Sequence, residues 1–344
     1  MNIVELKIPP HFKPEKAGEV WKVDYQARAT DANNWADEYN IGPSGSDKFK
    51  ICLLAIDMQN TFCVPGYELF VSGRSGNGAV EDTKRLCEFI YRNLNVITQI
   101  IPTMDTHQPM QIFHSIFLIN NKGENPPALS LISADDIEKG VWKINENVCL
   151  GLGVDPGKAQ NYLKHYTQEL NKSGKYELTI WPYHAMLGGL GHALVSLLEE
   201  AIFFHSIARC SRPNIQIKGN NPLTEHYSVF GPEVKSGIDG EIIANKNIDL
   251  IERVLKFDAI IIGGEAKSHC AAWSIEDLLN EILLRDKKLA QKVYLLEDCS
   301  SPVVVPGVID YTDEADKAYS KFAEAGMHLV KSTTPIKDWP GIKI

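Results

Sequence analysis

The chain has no apolar run near twenty residues, so nothing in it asks to span a membrane. It also has no charged start followed by an apolar core, the signature of export. Clusters of Lys and Arg are missing, and the formal net charge is -9. Phosphate backbones bind basic surfaces, so nucleic acid is excluded as a partner. Neither GxGxxG nor GxxxxGK[ST] occurs, which removes the usual phosphate cradle and disfavours a nucleotide cofactor. Seven cysteines include no CxxC pair, and a chain of 344 residues is long enough to fold without disulfide staples. They read as mostly free thiols of a reducing compartment, and the expectation is a soluble cytoplasmic protein without internal repeats or a convincing linker.

What is present is an ordinary globular mixture, 23% charged and 44% hydrophobic. Residues 1–48 are rich in Pro, Asn, Asp and Gly, and carry scattered aromatics (Phe12, Trp21, Tyr25, Trp35, Tyr39) without a clear period. Those rings need somewhere to pack. The expectation is an arm draped over the main domain or over a partner subunit of a homo-oligomer, followed by one domain over 49–344. FKICLLAID, from Phe49 to Asp57, is apolar on both faces and ends in an acid, as a buried parallel strand does. Further strands are expected at Val96–Asp105, Leu178–His184, Asn214–Gly219, Ala259–Gly264, Lys292–Asp298 and Met327–Val330. Helices are expected at Ala79–Asn95, Gly191–Ala208, Ile242–Leu255, from Ala271 onward, and at Thr312–Ala325. Residues 120–175 carry Pro, Gly and Asn clusters and read as an elaborated insertion. Strands alternating with helices at these lengths predict a three-layer α/β/α fold around a mostly parallel sheet, whose ligand site lies beyond the carboxyl ends of the strands.

Four of those ends carry suggestive residues: Asp57, then Asp105 with His107, then Lys218, then Cys270. The stretch AIIIGGEAKSHCAAW (259–273) reads as a strand, a tight turn and a thiol at a helix start, exposed and within the positive end of the helix dipole, which favours thiolate. A small buried hydrophobe is the plainer reading of such a cysteine. An acid, a lysine and a cysteine together suit attack on an amide or ester carbonyl: the ammonium stabilises the thiolate, and the acid takes the thiol proton and returns it to the departing amine. Singly, Asp57 reads equally well as a cap and Lys218 as a solvated charge. In DTH, Asp105 and His107 lie two apart and point the same way from a strand end. A carboxylate with one or two imidazoles suits Zn²⁺, Fe²⁺ or Mn²⁺, with His184 and His114 available as further ligands.

These residues sit in motifs. DMQNTF (57–62), D-x-H (105–107), WPYH (181–184), KG followed by EHYSVF (218–230) and GGEAKSHC (263–270) resemble, in this order, those of the isochorismatase-like cysteine hydrolases, and among them the nicotinamidase/pyrazinamidase group. The resemblance runs from about residue 50 to 331 and leaves the arm and the insertion uncovered. It implies a triad of Asp57, Lys218 and Cys270, and metal ligation by Asp105, His107 and His184, with His114 as an additional ligand or an aromatic-like core residue. It implies a ring pocket of Phe62, Trp181, Tyr227 and His269, a cis bond between Glu265 and Ala266, and an oxyanion hole from the amides of Ala266 and Cys270. The activity implied is hydrolysis of nicotinamide to nicotinic acid and ammonia, a step of NAD salvage, through a thioester on a zinc-dependent enzyme. The alternatives are a cysteine hydrolase of another small amide or carbamoyl compound, and a non-catalytic binding scaffold. Three departures stand out: Ala185 follows WPYH where cysteine is usual, Thr106 occupies D-x-H where tryptophan is common, and Lys267 with Ser268 replaces a Thr-Asp pair, placing an added cation beside the thiol.

Overall fold

The computed structural model describes residues 5–344. Six strands form its central sheet: β1 (Ile51–Ile56), β2 (Ile97–Asp105), β3 (Gln216–Lys218), β4 (Ala259–Gly264), β5 (Val293–Leu296) and β6 (His328–Val330). Their spatial order is β6-β5-β4-β1-β2-β3, with every pairing parallel. The unbroken apolar runs are what such strands require, because each contributes to two cores. Along β1, Cys52, Leu54 and Ile56 belong to one core and Ile51, Leu53 and Ala55 to the other, the period-two alternation of a strand covered on both faces.

Among the described residues the helices of the covering layers include α1 (Tyr25–Glu38), α2 (Gly78–Arg92), α3 (Ala134–Glu138), α4 (Glu146–Leu152), α5 (Pro156–Lys172), α6 (Ser196–Ala208), α7 (Ile248–Val254), α8 (Ala272–Arg285) and α9 (Thr312–Glu324). Residues of α2 and α6 build the core on one face, and residues of α5, α7, α8 and α9 build the other. The architecture is three-layer α/β/α. The chain leaves β1 for β2 and β3 on one side, then returns to β4, β5 and β6 on the other. The direction therefore reverses between β1 and β4, where Ile56 pairs with Gly264 and where open α/β sheets bind ligands.

Several elements differ from their sequence expectation. The helix expected from Gly191 begins at Ser196, because Leu190–His192 forms a separate 3₁₀ turn. The one expected from Ile242 starts at Ile248, capped by the Asn247 side chain, which accepts from Leu250 N–H at 3.2 Å. Of Leu178–His184, Leu178–Thr179 pairs antiparallel to Leu131–Ile132 and Trp181 makes an isolated bridge to His114, both outside the central sheet. The arm holds a 14-residue helix, α1, in which only Ala32 is buried, so no apolar stripe announces it. Around it, Trp21 and Ser196 exchange hydrogen bonds at 3.0 Å, Trp35 meets Phe204 edge-on, and Arg209 of the domain grips Asp47 at 2.6 Å. The insertion contains α3, α4 and α5. The last is the longest helix among the described residues, opened by an Asp155 cap and Pro156. No helix among the described residues is long and apolar enough to cross a membrane.

Candidate active site

Asp57 follows β1 with φ +42°, an unusual backbone for a residue with a side chain. It is held in place by Thr103 on β2, whose hydroxyl donates to the Asp57 carboxylate and accepts from the Asp57 N–H at 2.9 Å. Lys218 ends β3 as the register partner of Asp105. Its ammonium lies 2.8 Å from Asp57 Oδ2, 3.1 Å from Asp105 Oδ1 and 3.6 Å from Cys270 Sγ, and it donates to the His226 carbonyl at 2.8 Å. Cys270 stands in a π turn, Lys267–Ala271, that links Gly264 to α8. Acid, ammonium and sulfur thus meet at the carboxyl edge of the sheet, from β1, β3 and the turn after β4, with β2 between the first two.

Their electrostatics correct one expectation. Cys270 is 6% exposed, not an open thiol at a helix start. Burial pushes its pKa well up, Lys218 opposes, and Asp57 and Asp105 add to the rise. The resting group is therefore a thiol, and attack requires a base. Burial also raises the Asp57 pKa against the pull of Lys218, with Asp105 adding to the rise, which suits a carboxylate that must take up and return a proton. Lys218 stays charged: burial works against its proton, but Asp105, Asp57 and Cys270 outweigh it. Lys267 is not a further cation at the sulfur. Its ammonium pairs with Asp316 at 2.6 Å and lies over the Tyr319 ring.

Asp105, His107 and His184 bring their ligand atoms within 4.8 Å of one another. His107 Nδ1 faces the Gly219 carbonyl at 3.1 Å and His184 Nδ1 faces that of Pro182 at 2.8 Å. If each Nδ1–H donates there, both Nε2 lone pairs converge on Asp105 Oδ2, at 3.0 and 3.9 Å. Three acceptors at such distances call for a cation between them, and a ligating histidine that donates its other nitrogen to a carbonyl is the usual support for one. The residues fit a divalent metal, and burial holds His184 neutral by lowering its pKa to about 3. His114 lies outside this group: it is fully buried, its ring 5.9 Å from that of His107, and its Nδ1 faces the Pro109 carbonyl.

Beside both clusters is a cavity of about 30 Å³ whose wall includes Phe62, Trp181, Tyr227, His269, Ala266 and Cys270. Trp181 donates to the Tyr227 hydroxyl at 2.9 Å, fixing two of these rings. The Glu265–Ala266 peptide is cis, and the Ala266 N–H has no acceptor among the described residues. Ser268 accepts from Val303 N–H at 3.0 Å and its hydroxyl meets His269 Nδ1 at 2.8 Å, while His269 Nε2 has no partner.

Sequence reasoning passed over four residues. Glu225 lines the cavity, fully buried, its pKa raised to about 7 by burial against the pull of His107; it stands in the EHYSVF motif, but nothing local marks it. Thr103 positions Asp57. Gln59 spans two strand ends, donating to the Asp105 carbonyl at 2.8 Å and accepting from the Asp105 N–H at 2.7 Å. Gly219, at φ +85°, leaves no room for a Cβ against Asp105 and His107, and the KG dipeptide was its only signal.

No protein-family model matches the sequence, and no curated protein matches it. Solved structures do. An Acinetobacter baumannii nicotinamidase/pyrazinamidase is similar at 17% identity over 84% of this chain and 99% of its own, with a TM-score of 0.49. A yeast nicotinamidase bound to the inhibitor nicotinaldehyde is similar at 17% identity over 82% of this chain and 99% of its own, also with a TM-score of 0.49. A Pyrococcus horikoshii pyrazinamidase in complex with zinc is similar at 18% identity over 82% and 99%, with a TM-score of 0.42.

Proposed function

We propose that this chain is a metal-dependent cysteine amidase of the isochorismatase-like type, acting on nicotinamide. The observation that carries the reading is the contact of one ammonium, Lys218, with Asp57, Asp105 and the Cys270 sulfur at 2.8, 3.1 and 3.6 Å, beside a cavity walled by aromatic rings. Asp105, His107 and His184 would hold a divalent metal, Zn²⁺ by its taste for imidazole, which would supply a Lewis-acidic anchor for the substrate.

The chain's own residues supply the rest. Asp57 takes the Cys270 thiol proton as the sulfur bonds to the carboxamide carbon, and Lys218 steadies the negative charge passing between them. The carbonyl oxygen, gaining charge, is met by the amides of Ala266 and Cys270. When the C–N bond breaks, Asp57 gives its proton to the leaving nitrogen and ammonia departs. Asp57 then takes a proton from water as the water attacks the thioester, and the returning sulfur regains a proton to leave nicotinic acid and a free thiol.

The test is ammonia release from nicotinamide by the purified protein, with and without chelator, beside Cys270→Ala. Activity that needs both metal and Cys270 supports the reading. An inactive metal-replete parent overturns it, and activity surviving Cys270→Ala overturns the mechanism.

A further inference from the structure

Behind the oxyanion amide lies a pair of carboxyl groups that this reaction does not use. Glu265, the residue before Ala266, is fully buried, and Asp82 on α2 is 1% exposed. They converge on one serine: Ser301 N–H donates to Glu265 Oε2 at 3.2 Å, and its hydroxyl donates to Asp82 Oδ2 at 2.5 Å. Ser301 thus bridges the two side chains. Ionised carboxylates are acceptors only, so a buried one whose oxygen meets no donor keeps its charge at a cost. Two like charges buried together do not both ionise.

The surroundings say which oxygen carries that proton. Arg85 donates to Asp82 Oδ1 at 2.7 Å, which favours the anion there. Glu265 has no ion pair of its own among the described residues, and its Oε1 has no hydrogen-bond partner. The proton therefore sits on Glu265.

The main chain around Glu265 explains why this matters. Its own N–H donates to the Ile56 carbonyl at 2.8 Å, Gly264 N–H donates to Cys299 and Lys267 N–H to Ser301, each at 2.8 Å. These bonds tie the loop to β1 and to the 299–301 turn. The Glu265 side chain is tied toward α2 through Ser301, which it shares with Asp82, and it is so tied from the residue that precedes the Ala266 amide.

We infer that Glu265 is a positioning residue: as a neutral acid held by Ser301 beside Asp82, it anchors the Ala266 N–H where the substrate's oxyanion develops. Its catalytic half rests on the amidase reading, and the buried proton does not.

The test uses the full-length, metal-loaded protein in three forms. In infrared spectra, Glu265→Gln is expected to lose a protonated-carboxyl band present in the parent; no lost band overturns the buried proton. Gln keeps a neutral acceptor for Ser301 N–H, so Glu265→Gln is expected to retain most of the parent kcat. Glu265→Ala, or Glu265→Met should the first not fold, is expected to lower kcat by about tenfold or more with KM within about twofold, the mark of a displaced transition-state donor. Equal losses in the Gln and Ala forms, or an unchanged kcat in the Ala form, overturn the positioning role. A parent inactive on nicotinamide removes the amidase reading and this role with it, while the infrared band still decides the proton.

Discussion

Asp105 and Lys218 are register partners across β2 and β3, and the ammonium of one lies 3.1 Å from the carboxylate of the other. One cross-strand pair thereby joins the cluster that fits a metal to the cluster that carries the sulfur. Replacing Lys218 by Met removes the cation but no atom of the two-histidine, one-carboxylate group. The expected result is hydrolysis lowered by about 100-fold or more with bound metal near the parent's content, read by ammonia release and by elemental analysis. Metal lost in step with activity would show that the ammonium is needed to shape Asp105. Removing one partner of a buried ion pair is also expected to lower stability by roughly 3–5 kcal/mol.

Cys270 is buried and its pKa is pushed up, whereas Cys210 is the one exposed cysteine among the seven. Iodoacetamide is expected to modify Cys210 first without loss of ammonia release, and Cys270 more slowly, with loss. Peptide mapping at successive times gives the order. Rapid modification of Cys270 at neutral pH would mean that the sulfur rests as thiolate.

At Gly219 a Cβ would run into Asp105 and His107, and the φ of +85° is one that side chains resist. Gly219→Ala is expected to weaken metal retention by about 10-fold or more, as loss of support around metal ligands does. Competition with a chelator measures it, and unchanged retention would show that the ligands have room to shift.

How far the sequence reached follows from where its signals are local. The strands β1, β2 and β4 are legible because burial on both faces demands unbroken apolar runs. The nucleophile turn is legible because two glycines separate strand from helix. Helix α1 was not legible, since a helix that buries little beyond Ala32 shows no apolar stripe. Nor were the internal helices of the insertion, where Gly and Pro serve as caps around α4 and α5 and read instead as loop. At the site, the residue types at strand ends announced themselves. The thiol's burial, the turned-away Lys267 and the cavity position of Glu225 are decided by distant chain segments, and no spacing encodes them.

The Glu265–Asp82 pair gives stability a slope in pH. Burial, with Asp82 adding, raises the Glu265 pKa well above its ordinary value, so the folded chain holds a proton that the unfolded chain releases above about pH 4.3. The contribution is complete below that value and lessens as pH rises toward the folded pKa. Asp82, Arg85, Cys63 and Tyr319 are the ionisable neighbours. In urea unfolding between about pH 5 and pH 8, Glu265→Gln is expected to flatten the parent's decline. An identical slope in the variant would place its origin elsewhere.

Tyr166 of α5 accepts a hydrogen bond from Glu225 N–H at 3.2 Å. Tyr166→Phe leaves that buried donor unpaired, at an expected cost of about 1–3 kcal/mol, and it loosens the residue that lines the cavity. KM for nicotinamide is expected to rise more than kcat falls, which steady-state kinetics would register.

The same segment holds more than Glu225. Tyr162 donates to the Leu223 carbonyl at 2.9 Å and Tyr176 to that of Ser268 at 3.0 Å, so two loops of the site hang from tyrosines outside the sheet. The cavity rings and the cluster around the sulfur both stand outside the span from α3 to Tyr176, which touches them only through the loops it holds. On the amidase reading, grafting that span between related proteins should shift preference by resetting those loops while leaving sulfur, ammonium and carboxylates where the strands set them.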